Sequence, residues 1–97
     1  MEFDAKVWKL MEKIPKGRVT TYGLIAKKLN TKAYRAVGNA CRKNPYAPRV
    51  PCHRVVNSDG SIGGFASGTK KKMAMLKKEG VEIRKGKIDL KKYLYKF

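Results

Sequence analysis

Apolar residues at Phe3, Val7, Leu10, Met11 and Ile14 recur at intervals of three and four, which puts them on one face of a helix. Pro15-Lys16-Gly17 interrupts the rhythm and predicts that helix's end. Arg18-Val19 reads as a short extended link. Thr20 or Thr21 then caps a second helix with the stripe Tyr22, Ile25, Ala26 and Leu29. Asn30-Thr31-Lys32 is a polar turn and cap, and a third helix is expected over residues 33–43, burying Ala33, Val37, Ala40 and Cys41. Two short helices joined by such a turn, over about residues 20–43, predict a helix-turn-helix with its later helix as the recognition element.

Beyond residue 43 the pattern changes. Asn44-Pro45-Tyr46-Ala47-Pro48 excludes a helix and predicts an ordered loop. Residues 50–56 read as extended, 57–60 as a turn, and 61–67 as a Gly-rich loop whose backbone can approach a ligand closely. Thr69 is expected to cap a last main helix carrying Met73, Met75 and Leu76 and ended by Gly80. Val81-Glu82-Ile83 reads as extended, and Leu90, Tyr93, Leu94 and Phe97 form a stripe that docks the tail. Neither a repeat nor a second domain is visible. The expected fold is a single domain over residues 1–97, mainly α with short extended segments, of the winged-helix-like helix-turn-helix class.

Ninety-seven residues with 42% hydrophobic content support a modest core. No run approaches the roughly 18 apolar residues of a membrane span, and the N-terminus lacks a signal-peptide core, so an intracellular, non-membrane, monomeric protein is expected. The charge narrows the class further: 24 Lys and Arg face 7 Asp and Glu, a net charge of +17. A thermophile surface would match its lysines with glutamates in ion-pair networks, and here most positive charge is uncompensated. A polyanion is the simpler partner, and nucleic acid is preferred to an anionic membrane because no amphipathic helix with an aromatic apolar face stands out.

Candidate chemistry centres on Pro51-Cys52-His53-Arg54-Val55-Val56. A thiol of ordinary pKa, about 8.5, is a poor nucleophile at neutral pH. An adjacent imidazole can take its proton, and dense positive charge favours the thiolate. In a plain strand Cys52 and His53 would face opposite ways, so contact requires a bend or a bridging water. The plain alternative is a buried, inert Cys beside a surface His. Cys41 falls on a helix stripe and reads as core. Two Cys and one His at spacings of 11 and 1 do not make a structural zinc set, so no metal is expected.

These residues sit in a longer run of motifs: Val7-Trp8-Lys9-Leu10, Gly17-Arg18-Val19-Thr20-Thr21-Tyr22, Ile25-Ala26, Arg35-Ala36-Val37-Gly38-Asn39-Ala40, Asn44-Pro45, the Pro-Cys-His-Arg run, Gly63-Gly64-Phe65 and Lys78-Glu79-Gly80. In this order, over residues 7–83 and about four-fifths of the chain, they resemble the DNA-binding and active-site domain of the O6-alkylguanine-DNA alkyltransferases, or methylated-DNA–protein-cysteine methyltransferases. The resemblance implies stoichiometric, cofactor-free repair of double-stranded DNA containing O6-alkylguanine, in the cytoplasm (nucleoid-associated) or nucleus. The damaged base is flipped out and its alkyl group passes irreversibly to Cys52. It also implies a Cys52–water–His53–Glu79 relay, with Asn44 bracing the active-site turn. Tyr22 would donate to guanine N3, and Arg35 would fill the gap in the stack. Ala36, Gly38 and Ala40 would keep the recognition helix slim for a minor groove about 6 Å wide. Val55, Ile62, Gly63, Gly64, Phe65 and Ala66 would line the guanine pocket, with the carbonyls of Cys52 and Val55 accepting from the exocyclic amine and the Ala66 amide donating to O6.

The chain departs from that family pattern in places. Phe65 stands where many members carry Tyr, Ala66-Ser67 replaces Ser-Gly, and Tyr34 and Asn39 are bulkier than usual. The resemblance does not extend to the usual N-terminal domain. A sister group, the alkyltransferase-like proteins, binds alkylated DNA without repairing it and recruits nucleotide excision repair. Those proteins usually carry Trp at the Cys position, so Cys52 favours the enzyme. An ordinary helix-turn-helix regulator has no use for an adjacent Cys-His pair and ranks last.

Overall fold

The computed structural model describes residues 2–46, 50–62 and 69–97. The order is α1 (Glu2–Glu12), β1 (Thr20–Thr21), α2 (Tyr22–Lys28), α3 (Tyr34–Arg42), a 3-10 turn (Cys52–Arg54), β2 (Val55–Val56), α4 (Thr69–Lys78) and α5 (Leu90–Tyr93). Thr21 caps α2, its hydroxyl accepting from Leu24 N–H at 3.1 Å. Asn30 ends α2 with a positive φ of 57°, a conformation that Asn tolerates better than most residues, and Thr31 N–H returns to Ala26 O. Thr31 Oγ1 then accepts from Ala33 N–H, and α3 begins. The fold is therefore mostly helical and carries the expected helix-turn-helix.

Two clusters of buried side chains make the core. Val7, Met11, Ile14, Ile25, Val37, Ala40 and Val50 pack where α1 meets α2 and α3, and Trp8 Nε1 donates to Ala40 O at 2.8 Å across that seam. Val19, Val56, Ile62, Leu76, Val81 and Ile88 form the second. Between the clusters runs a two-stranded parallel sheet, Thr20 opposite Val55 and Thr21 opposite Val56. The tail docks as expected, with a detail the stripe does not contain: Leu94 bridges to Val19, and Tyr95 N–H donates to Val19 O at 2.7 Å.

One expectation needs correcting. Residues 50–56 are not one strand. Only Val55–Val56 pairs, because Pro51 leads into a 3-10 turn in which Arg54 N–H bonds Pro51 O. Residues 81–83 are neither helix nor paired strand; beyond them Lys87 bridges to both Arg84 and Ser61. Among the described residues no helix is long and apolar enough to cross a membrane.

Candidate active site and DNA-binding cleft

The 3-10 turn supplies the bend that a plain strand lacks. It buries both Cys52 and His53, at 6% and 2% exposure. Glu79 reaches His53 from the end of α4, where Gly80 at φ +91° and the bond from Val81 N–H to Leu76 O close the helix and fix the Glu79 backbone. Glu79 Oε2 lies 3.0 Å from His53 Nε2. Arg54 grips the same carboxylate with two nitrogens, Nε at 2.9 Å and Nη2 at 2.6 Å, while its Nη1 donates to Ile14 O at 2.8 Å.

These contacts settle the proton's place. Burial pushes the Glu79 pKa up, but hydrogen bonds and charge from Arg54 and His53 outweigh it and hold the carboxyl below its usual range. An ionised carboxylate only accepts, so His53 Nε2 carries the hydrogen and Nδ1 holds the lone pair. Burial lowers the His53 pKa despite Glu79, which keeps the imidazole neutral near pH 7. Nδ1 is buried and has no hydrogen-bonding partner among the described residues. It is the basic atom of the site.

Nearby charge favours the Cys52 thiolate, as expected, but does not outweigh burial. Burial raises its pKa, and Asn44, Lys72 and the backbone N–H groups of Cys52 and His53 offset this only in part. The resting group is a thiol that needs a base. Asn44 also ties the loop: its Nδ2 donates to Val50 O at 2.7 Å and its Oδ1 accepts from Tyr46 N–H at 2.9 Å.

Cys52 opens onto a cleft of about 390 Å³ lined also by Tyr22, Tyr34, Arg35, Gly38, Arg42 and Ser58. Burial, then the thiols Cys41 and Cys52, push the Tyr22 pKa up to about 12, so its hydroxyl stays a donor. Of the slim residues on α3, Gly38 faces the cleft and Ala36 is half-buried. Ala40 does not face it: the helical period that exposes Gly38 turns Ala40 into the core against α1. The Val55 and Ile62 side chains are buried in the two core clusters. Gly63, Gly64, Phe65 and Ala66 lie outside the described residues.

The sequence reading missed Lys72. It is fully buried, its Nζ donates to Val55 O at 2.6 Å, and it stands 5.9 Å from the Tyr22 ring centroid. Burial lowers its pKa to about 8. The signal was its place four residues before Leu76 on the buried face of α4, hidden within the run Lys70-Lys71-Lys72. Arg54 and Arg42 were passed over too. Both carbonyls that the resemblance assigns to a base amine already accept one bond, Val55 O from Lys72 and Cys52 O from Val55 N–H, and each retains a second lone pair.

Comparison with known proteins agrees with this geometry. The profile of the family described as 6-O-methylguanine DNA methyltransferase, DNA binding domain, matches residues 2–81. A methylated-DNA–protein-cysteine methyltransferase of Methanosarcina mazei is 52% identical over 80% of this chain and 50% of its own length. The chain thus spans about half the length of such curated relatives. The O6-methylguanine-DNA methyltransferase of Pyrococcus kodakaraensis superposes with a TM-score of 0.77 at 48% identity, covering 84% of this chain and 47% of that one. S. pombe Atl1, solved with damaged DNA containing O6-carboxymethylguanine, superposes with a TM-score of 0.88 at 36% identity over 99% of this chain and 96% of its own. A family model matched over residues 2–81 and relatives about half identical over four-fifths of the chain show that it belongs to the 6-O-methylguanine DNA methyltransferase family, in the part of it that forms the DNA-binding domain.

Proposed function

We propose that this chain repairs DNA directly, moving an alkyl group from O6 of a flipped-out guanine onto Cys52 Sγ. The observation that carries the reading is a buried thiol on the wall of a basic cleft, beside an imidazole whose basic nitrogen has no hydrogen-bonding partner among the described residues. The Cys52 proton passes through a bridging water to His53 Nδ1, and Glu79 stabilises the imidazolium that forms while Arg54 holds that carboxylate in place. The new S–C bond forms as the C–O6 bond breaks; its electron pair returns to the purine, which takes a proton and leaves as guanine. Tyr22 donates to the base, Lys72 supplies positive charge near the sulfur, and Arg35 fills the vacated stack. A thioether has no easy hydrolytic exit, so each molecule acts once. DNA as substrate implies an intracellular site of action.

The likeness to Atl1 over nearly the whole chain supports a second reading, a sensor that holds damaged DNA without transfer. Intact mass after incubation with O6-methylguanine duplex separates the two. Repair predicts one methylene gained, on the Cys52 peptide, and none in Cys52→Ala, which still binds the duplex. Tight binding with no mass change would leave the sensor.

A further inference from the structure

Two large apolar side chains stand in water among the described residues, Tyr34 at 55% exposure and Tyr46 at 53%. Tyr46 has a structural account, since its ring meets Trp8 edge-on at 5.7 Å. Tyr34 is different. It opens α3, lines the mouth of the Cys52 cleft, and has Arg35 as its neighbour in the chain. One turn further on, Gly38 has no atom within 4 Å of where a Cβ would stand, so the helix is kept bare there for something outside the protein. Nothing in the interior calls for a phenol ring at this place. An exposed aromatic beside a cation, on the rim of a basic cleft, is the arrangement that receives the face of an unstacked base.

We propose that the Tyr34 ring is a stacking platform for the nucleobase left uncovered beside the gap when a damaged nucleotide leaves the duplex. This rests on the repair reading above and adds to it a residue that positions DNA, not one that touches the alkyl group. Arg35 brings charge to the opened step, and Tyr34 covers the adjoining base by its apolar face. Every base has such a face, so the contact tolerates any flanking sequence.

The test compares the full chain with Tyr34→Ala and Tyr34→Phe on two substrates, an O6-methylguanine duplex and free O6-benzylguanine, which has no flanking base. Subsaturating single-turnover rates and duplex affinity are both read. Tyr34→Ala is expected to lower duplex rate and affinity by about five- to hundredfold, with the free-base rate unchanged and Tyr34→Phe close to wild type. Equal activity of Tyr34→Ala on the duplex overturns the inference. So does an equal loss on both substrates, which would make Tyr34 a pocket support, or a Tyr34→Phe defect as large as that of Tyr34→Ala, which would make it a hydroxyl contact to phosphate. If the wild type transferred to neither substrate, the repair reading would fall. The affinity measurement would still decide the stacking, upheld by the same loss in Tyr34→Ala and overturned by none.

Discussion

His53 shows how an environment assigns a role to an ordinary side chain. Its Nε2 is committed to an ionised Glu79, and burial keeps the ring neutral, so Nδ1 is ready to receive a proton at pH 7. The sign of the pH effect follows. A pKa lowered from 6.5 means the base survives mild acid and is lost only when pH falls below that ordinary value. A Cys52 pKa raised from 9.0 means the thiol begins to ionise unaided only in alkaline solution. The single-turnover methyl-transfer rate should therefore be flat near neutrality, fall on the acid side below pH 6.5, and tend upward in alkali. His53→Gln should abolish the acid limb while leaving a slow rate that climbs with pH. An acid limb persisting in His53→Gln would take the base role away from His53. The adjacency of thiol and imidazole was legible in the sequence. The state of each was not, because it depends on burial and on Arg54, Lys72 and Glu79 arriving from other segments.

Glycines in two elements make opposite demands. Gly60 closes the turn behind Ser58 at φ +88°, and a Cβ there would lie 2.5 Å from Ile88 O. Gly60→Ala should cost about 2–4 kcal/mol, strain and overlap together. Gly38, in the middle of α3, meets open space. Gly38→Ala should stabilise the fold by about 0.5–1 kcal/mol, since Ala is the better helix former, yet weaken duplex binding because the methyl group projects into the cleft. Thermal melting read beside duplex affinity checks the pair; Gly38→Ala that binds DNA normally would remove α3 from the interface. The helix periods, the polar turn at residues 30–32 and the Gly80 cap were all readable from local pattern. The parallel pairing of Thr20–Thr21 with Val55–Val56 was not, since partners 35 residues apart leave no short-range mark. Ala40, by contrast, was placed in the core by the helical stripe, and it lies there.

Taken together, the acidic residues are largely consumed inside the protein. Glu79 is held by His53 and Arg54, Glu82 pairs with Arg84, Asp4 lies 3.9 Å from Lys43, and Asp89 caps α5. Among the described residues no carboxylate pairs with the lysines of α2 or with most of those of α4, so most of the net charge of +17 faces outward. Affinity for undamaged duplex should fall log-linearly with salt, with little dependence on base sequence, as a filter-binding or anisotropy titration would read. A salt-independent affinity would mean the charge serves something else. Composition alone exposed this property, because so short a chain has little interior in which to hide uncompensated charge.

Glu79 sits at the carboxyl end of α4, where the aligned peptide dipoles already present negative charge, an unfavourable address for a carboxylate. The guanidinium of Arg54 offsets that field and, through Ile14 O, anchors it to the segment that follows α1. One planar cation thus joins three separate parts of the chain around the imidazole. A lysine there would carry the same charge but offers a single nitrogen, unable to span all three directions at once. The electrostatics of the helix terminus and the aim of the imidazole therefore share one keystone, and neither can drift without the other.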